Sequence, residues 1–234
     1  MSHWDIDGCT VDGMKAAKPT DSPEDRRRRK ARRTRDALAD AACDLILSQG
    51  TAATTVEAIA ERADVTRRTF SRHFAGKEDA ALDFVRRDGD RINALLRARP
   101  AHEPPLTAYR RAVRAWLTDP DDPPWQLRPR MRRLLALIDS EPALFGAYQR
   151  IRVDAQEESI RIIAARLGTD GALDVRPAAV VDAAAGVLVA ALRVWARQGD
   201  RNPGAADLAA LVERAYDALT SEAAAAVADS TTEE

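Results

Sequence analysis

A short arginine-rich segment carries the side chains of this sequence that are best suited to bind another molecule. Between Thr66 and Phe74 apolar residues recur on one face of a short predicted helix, and the opposite face has only hydrogen-bonding side chains: Arg67, Arg68, Ser71 and Arg72. An arginine guanidinium donates two parallel hydrogen bonds, a geometry that matches O6 and N7 of guanine in the major groove of DNA. We therefore expect Arg67 and Arg68 to read bases, although either can instead contact phosphate without sequence choice.

Two further helices are predicted before this segment. Apolar residues recur at three- and four-residue spacing from Thr34 to Gly50, and glycine commonly ends a helix. A second, shorter helix is predicted to begin at Thr54, with Glu57 completing a capping box. Thr66 is placed to cap the third helix. One longer helix followed by two short ones across a tight turn outlines a helix-turn-helix, which lays its last helix in the major groove.

Charge is distributed unevenly along the chain. The formal net charge is −1, yet residues 26–77 contain 13 basic and 6 acidic side chains, against 23 and 31 in the rest. The run RRRRKARR, from Arg26 to Arg33, opens this basic block. Such dense like charges repel one another unless a polyanion neutralises them, so we expect Arg32 and Arg33 to contact phosphate. A solvated helix start without any partner is the alternative.

The stretch TTVEAIAERADVTRRTFSRHFAGKE, from Thr54 to Glu78, closely resembles the DNA-binding signature of the TetR family of bacterial transcriptional regulators. The specific likeness covers about 34–82. It implies a repressor that binds double-stranded operator DNA and is released by a small molecule. It also implies that phosphate is held by four residues: Thr54, Thr55, Thr66 and Lys77. Thr54 and Thr66 are equally well placed to act only as helix caps.

Three positions in this signature bear on its details. Ser71 stands where many relatives have a tyrosine that contacts DNA, which puts that contact in doubt. Asp64 stands where the turn usually has glycine, and aspartate is one of the few side chains that tolerates left-handed backbone angles. His73 and Phe74 form a pair common in the family, and we interpret His73 as a packing or capping residue rather than a catalyst.

Every segment after Lys77 is predicted to be helical, with proline clusters and glycines between the segments. The predicted fold class is all-α, with an N-terminal three-helix helix-turn-helix domain followed by a larger helical ligand-binding and dimerisation domain. The predicted helices span 78–99, 106–118, 125–140, 142–167, 177–198 and 205–226. The predicted domains are a disordered tail (1–25), the DNA-binding domain (26–78), the ligand-binding and dimerisation domain (79–228) and a second tail (229–234).

The resemblance implies an effector cavity among the central helices. Its predicted lining, for which ordinary core packing is the alternative, is Tyr109, Trp116, Met131, Leu135, Phe145, Tyr148 and Trp195, with Trp125, Leu134 and Ile138 as further candidates. Arg128, Arg130, Arg132 and Arg133 lie nearby in sequence and suggest an apolar effector with an anionic end. The SEPALF segment faintly resembles relatives that accept acyl-CoA-like molecules. A solvated helix face also explains these arginines.

The last two helices are expected to form a homodimer seam, as the resemblance implies. The residues placed on it are Val180, Ala183, Ala184, Gly186, Val187, Ala190, Ala191 and Val194, together with Leu208, Leu211, Val212, Ala215 and Leu219. The alternative is that they form an intrachain core. A dimer suits the motif, because two-fold symmetry allows two short helices to read two half-sites.

Other features limit the remaining classes of function. Cys9 and Cys43 are far apart and lack partners for a disulfide or zinc site, and neither metal nor cofactor is expected. No signal peptide is predicted, and the apolar stretch from Ala178 to Ala196 is interpreted as too short and too weakly hydrophobic to span a membrane. The protein is therefore expected to be cytoplasmic and nucleoid-associated. No enzyme motif is found; a nonspecific or architectural DNA-binding protein and, behind it, a helical enzyme remain the alternatives.

Overall fold

The computed structural model describes residues 22–197 and 204–230, which contain ten α-helices, one 3-10 turn and no β-strand. The all-α prediction is thus confirmed. The helices are α1 (Pro23–Ala53), α2 (Val56–Arg62), α3 (Arg67–Ser71), α4 (Lys77–Ala81), α5 (Asp83–Arg97), α6 (Pro105–Leu117), α7 (Pro129–Ile138), α8 (Pro142–Leu167), α9 (Val175–Ala196) and α10 (Ala205–Ser230), and the 3-10 turn is Trp125–Leu127.

Both ends of the described chain are more helical than predicted. Helix α1 starts at Pro23 because Ser22 and Asp25 form a capping box and proline suits the first helical position. Residues 23–25 therefore belong to a helix and not to a tail. Helix α10 runs to Ser230, four residues beyond its predicted end. The rest of the two predicted tails, 1–21 and 231–234, lies outside the described residues.

Two predicted helices are each interrupted once. The predicted helix over 78–99 is divided at Leu82, whose φ of −98° and ψ of 13° separate α4 from α5. The predicted helix over 125–140 begins as the 3-10 turn and becomes α7 at Pro129. Arg128, which precedes that proline, has a ψ of 131°, because the proline ring disfavours helical angles at the residue before it.

The buried apolar side chains form two clusters. The first contains the inner faces of α1 to α4, and Met131, Leu134 and Leu144 from α7 and α8 complete it. The second joins α5, α6, α8, α9 and α10 around Trp116 and Trp195. The DNA-binding helices therefore share their hydrophobic cluster with α7 and α8. The predicted domain boundary at residue 78 does not coincide with a boundary between the two clusters.

Helix α9 corrects one argument from the sequence. Over an 18-residue window its mean hydropathy is 1.8, so by length and composition it could cross a membrane, contrary to our interpretation of this stretch. Core helices of soluble proteins meet the same criterion. In this fold Val181, Ala184 and Trp195 of α9 are buried, and the helix packs against α6, α8 and α10.

Candidate nucleic-acid interface and effector cavity

Local capping and two aromatic anchors hold the recognition helix α3. Thr66 accepts a hydrogen bond from the backbone N–H of Thr69 at 3.1 Å and so caps its first turn. Phe70 and Phe74, 1% and 4% exposed, fix its inner face in the core. Asp64, in the turn before it, has a φ of 54°, so the prediction of a left-handed aspartate is confirmed. The helix can therefore face outward only with its polar side.

The polar side of α3 is presented to solvent. Arg68, Ser71 and Arg72 are exposed, and the side chains of Arg68 and Arg72 have no hydrogen bond or ion pair with another residue of the described ranges. The Arg67 side chain is 73% exposed and pairs with Glu57 at 2.9 Å across the turn. The Ser71 hydroxyl donates to the carbonyl of Arg67 at 3.2 Å. The arginines lie where the sequence placed them and are available to a groove of DNA.

The cap of helix α2 is Thr55 and not Thr54, which the sequence predicted. Thr55 is the N-cap of α2, accepting from the N–H of Ala58 at 3.1 Å, and it is exposed. Thr54 is 1% exposed, and its hydroxyl donates to the carbonyl of Gly50 at 2.8 Å. The phosphate contact predicted for the Thr54 side chain is therefore wrong. Thr54 is the C-cap residue of α1. Four residues earlier, Gly50 departs from helical geometry with a φ of 83°.

Lys77 also has an internal role. Its ammonium donates to the carbonyls of Thr51 and Thr54 at 2.7 and 2.8 Å. Two of its three donors therefore satisfy carbonyls at the end of α1 that lack helical partners. The side chain therefore joins α4 to the end of α1 and supports the helix-turn-helix from behind, and one of its three donors is left for the predicted phosphate contact.

Arg32 and Arg33 are exposed on α1, and the next arginine of that helix, Arg35, is directed inward. The Arg35 guanidinium donates to Asp83 and to the carbonyl of His73, at 2.9 and 3.0 Å. It also lies 4.5 Å from the ring centroid of Phe74. Arg35 thus connects α1, the segment after α3 and the start of α5. Sequence reasoning missed it because it sits within a run of arginines that otherwise face solvent.

The joint between the DNA-binding helices and α5 is a network of ion pairs. Asp83, 1% exposed, is held by Arg35 and, at 2.7 Å, by Arg87, which also pairs with Asp36. Burial lowers the pKa of the adjacent His73, and the charges of Arg35 and Arg72 lower it further. His73 is thereby held in its neutral form at neutral pH, consistent with a packing role.

A cavity of about 100 Å³ lies between α5, α6, α7, α8 and α9. Four of the predicted lining residues, Tyr109, Trp116, Leu135 and Tyr148, are on its wall. The remaining wall is largely apolar and consists of Phe84, Val85, Gly89, Ile92, Ile151, Ala155, Ala185, Leu188, Val189 and Leu192, with the polar residues Asp88, Arg152, Gln156 and Ser159. The arrangement can enclose a compact, mostly apolar molecule.

Three predicted lining residues lie elsewhere. Met131 is 2% exposed in the first cluster, where it helps to cover α1 to α4. Phe145 is 38% exposed, because it lies on the outer face of α8. Trp195 is buried in the second cluster. The further candidates Trp125, Leu134 and Ile138 are also absent from the cavity wall. The aromatic character of a residue therefore does not show by itself whether the residue lines the cavity or packs in the core.

The arginines around α7 do not have the cavity-lining position that the sequence suggested for them. Arg130 pairs with Asp40 and Asp44 of α1, Arg128 stacks 4.1 Å from the ring centroid of Trp125, and Arg132 lies over Trp195. Arg133 is exposed. None of these four lines the cavity.

The charged residues of the wall were not foreseen. Asp88 is 7% exposed and accepts a hydrogen bond from the indole N–H of Trp116 at 3.1 Å. Burial raises the pKa of Asp88 to about 7, although the Trp116 bond and the charge of Arg91 act in the opposite direction. Asp88 lies in the charged run RRDGDR, a composition typical of a solvated helix face. Its spacing of four residues from both Phe84 and Ile92 could have indicated that it lies on the apolar face of α5.

The predicted dimer seam is partly an intrachain core. The following seam residues are buried within the single chain: Ala184, Val187, Ala191, Leu208 and Val212. Their burial follows from the packing of α9 against α10. Gly186, Ala190 and Val194 remain exposed on the other side of α9, and Val180 and Ala183 are half-buried beside them. Leu211, Ala215 and Leu219 of α10 are half-buried. The surface of α9 and α10 that remains available to a second copy of the chain is therefore narrower than the predicted dimer seam.

An outward cationic α3, carried by a helix-turn-helix and joined to a helical domain with a cavity, defines a DNA-binding regulator with an effector domain. Residues 38–81 match the family model for bacterial regulatory proteins of the tetR family, and residues 103–224 match the MftR C-terminal domain. The chain is 38% identical, over 216 residues, to the HTH-type transcriptional regulator TcmR of Streptomyces glaucescens, covering 87% of this chain and 93% of TcmR. The chain therefore belongs to the TetR family and is a sequence-specific DNA-binding transcriptional regulator.

Solved structures agree in fold. The fatty acid degradation regulator FadR of Bacillus halodurans superposes with a TM-score of 0.50 at 18% identity, covering 79% of this chain and 93% of FadR. A TetR-family regulator of Mesorhizobium loti gives a TM-score of 0.50 at 17% identity, covering 81% and 96%. Members of the family are transcriptional regulators, not typically enzymes, and they bind operator DNA and small-molecule effectors as dimers.

Proposed function

We propose that this regulator is a homodimeric repressor that leaves a palindromic operator when a compact apolar molecule enters the α5 to α9 cavity. One observation carries the proposal: helix α5 contributes both to the cavity wall and to the ion-pair joint that holds the DNA-binding helices. Val85 and Asp88 face the cavity, while Asp83 and Arg87 bind α1. A molecule that displaces α5 therefore also displaces the joint.

We assign base recognition to Arg67 and Arg68 at the start of α3. The exposed polar groups around them, which position the protein on the phosphates, are Arg32, Arg33, Thr55, Thr66, Ser71 and Arg72. This division follows from geometry, because phosphate contacts fix register and only contacts to base edges carry sequence information.

The dimer is proposed to form through the exposed side of α9, where Gly186 and Ala190 permit close helix approach, together with α10. Two copies related by a two-fold axis would present two α3 helices to successive major grooves about 34 Å apart. An effector can change DNA affinity only by binding the free and DNA-bound conformations with different affinity. Displacement of α5 supplies such a difference, because it changes the spacing of the two α3 helices.

The lining of the cavity selects among the effectors considered. An acyl-CoA-like molecule, which the sequence suggested, has a polyanionic nucleotide head, whereas this largely apolar wall offers one cationic side chain, Arg152. We therefore propose a compact effector that is bound without turnover. We also propose that the protein is nucleoid-associated through its operator DNA and does not act at a membrane.

A selection of bound sequences from a random DNA pool, followed by footprinting at fixed salt, tests the proposal. We expect a bounded palindrome protected by a dimer. Uniform protection along the DNA would instead establish a nonspecific or architectural binder and would refute the repressor. Addition of compounds that stabilise the folded protein should then release the operator. Unchanged operator affinity with a compound bound in the cavity would refute effector control.

A further inference from the structure

Asp88 and Arg152 place a carboxyl group and a guanidinium on the wall of a mostly apolar cavity without pairing with one another. Asp88 lies on α5 and Arg152 on the facing α8, and no ion pair joins either of them to any residue of the described ranges. One oxygen of Asp88 accepts from the indole N–H of Trp116. The other has no hydrogen-bond partner within 22–197 and 204–230.

Several neighbouring arginines and acids are, by contrast, joined in ion pairs. On α5, Arg87 pairs with Asp83 and Arg91 pairs with Asp119. Glu103 is enclosed by two arginines of its own. Asp88 is thus a buried carboxyl group to which the fold gives an indole N–H and no ion-pair partner within the described ranges, and burying a charge without a partner is costly.

Arg152, on the opposite helix, also lacks a hydrogen-bond partner among the described residues. Its Nε atom is buried and has no hydrogen-bond partner in the described part of the chain. A guanidinium has only donors, so it is satisfied by an acceptor and by nothing else. The space between the two helices is too apolar to solvate these groups well, since most of the wall is aliphatic or aromatic.

We infer that the effector is a compact, largely apolar molecule that bridges α5 and α8, with a hydrogen-bond donor directed to Asp88 and an acceptor directed to Arg152. This inference rests on the proposed effector role of the cavity and names the chemistry that the cavity selects. A hydroxyl and an ammonium group both supply the donor. A carbonyl or a carboxylate supplies the acceptor. The aromatic side chains Tyr109, Trp116 and Tyr148 favour a ring between the two ends.

Four small aromatic probes test the inference on the full-length protein by titration calorimetry. 4-Hydroxyacetophenone carries a donor and an acceptor, 4-ethylphenol only the hydroxyl, and 4-methoxyacetophenone only the acceptors. In 4-acetylbenzylamine an aminomethyl group, protonated to an ammonium at neutral pH, replaces the hydroxyl. We expect a probe with both groups to bind about tenfold more tightly than either single-function probe, the effect of one hydrogen bond to a charged group. Whichever two-function probe binds more tightly identifies the donor as hydroxyl or ammonium.

Two substitutions locate the effect. Asp88→Asn retains an acceptor for Trp116 but turns an N–H toward the cavity, so the preference for a donor should be lost. Arg152→Gln should remove the preference for the acceptor. Asp90→Asn, at an exposed position two residues from Asp88 and absent from the cavity wall, is the matched control and should bind every probe as the parent does. An unchanged preference in both cavity variants, or no binding of any probe at millimolar concentration, would overturn the inference.

Operator affinity measured on the same samples separates this inference from the proposed function. Preferential binding of the two-function probe without release of DNA would support the assignment of Asp88 and Arg152 and would contradict effector control.

Discussion

Arg35 and Asp83 join the DNA-binding helices to the effector domain through two hydrogen bonds from one guanidinium to one carboxylate oxygen, at 2.9 and 2.5 Å. The carboxylate is 1% exposed, and the same guanidinium donates to the carbonyl of His73 just after the recognition helix. Movement of α5 must therefore stretch these bonds or carry the end of α3 with it. Either outcome links the cavity to DNA binding.

Arg35→Gln should destabilise the protein. It removes one of the two arginines that hold the buried Asp83, and a hydrogen bond to a charged group contributes about 1.5–3 kcal/mol. Arg87 still pairs with Asp83, so we expect a loss near the lower end of that range. The measurement is the free energy of unfolding in urea. Arg28→Gln is the control, because Arg28 and Glu24 are an exposed pair on the same helix; an equal loss in both variants would exclude a special role for Arg35.

Arg67→Ala should weaken operator binding by about 1–3 kcal/mol and relax the preference at one base pair. Its pair with Glu57 is largely exposed, so the loss of that pair should change folding stability little. Arg72→Ala should weaken binding to all sequences alike and lower the salt slope by about 1. Titration of selected operators and their single-base variants distinguishes the two patterns. An equal loss on every sequence for Arg67→Ala would reassign it to phosphate.

Lys77→Met should lower folding stability while leaving the salt dependence of DNA binding unchanged. The ammonium is bonded to the carbonyls of Thr51 and Thr54, and methionine retains the aliphatic chain without the donors. Thermal unfolding and the slope of DNA affinity against salt are the measurements. A shallower slope at parental stability would show that Lys77 contacts phosphate after all.

The free energy of unfolding should depend on pH through Asp88, whose pKa rises from 3.8 to about 7 on folding. Between these values the folded protein binds more protons than the unfolded chain, so stability falls as pH rises through this window and is level above it. Trp116, Arg87, Arg91 and Asp122 act on this carboxyl.

Asp88→Asn removes this titration and should be more stable than the parent at pH 8, by up to ~4 kcal/mol if the full shift is expressed. The difference should shrink toward pH 4. Urea unfolding at several pH values measures it, with Glu157→Gln, at an exposed position of α8, as the control. A constant difference between parent and Asp88→Asn across this range would show that Asp88 is not the titrating group.

The sequence by itself determined the helices and the outward face of α3. Capping residues, apolar spacing and the left-handed Asp64 are local features, and the hydrogen bonds that they specify form within a few residues. The arginines of α3 are exposed because Phe70 and Phe74, on the opposite face, have to be buried. The recognition helix could therefore be placed before any tertiary contact was known.

Only the tertiary structure decided which side chains the helices turn toward one another. The sequence predicted phosphate contacts for Thr54 and Lys77, whereas the structure shows both side chains bonded at the end of α1. Asp88 could be identified as a cavity residue only once α6 was seen to place Trp116 against it. Likewise, a buried aromatic residue lines a cavity or fills a core according to the distance between helices. That distance depends on contacts remote in sequence, which local periodicity does not encode.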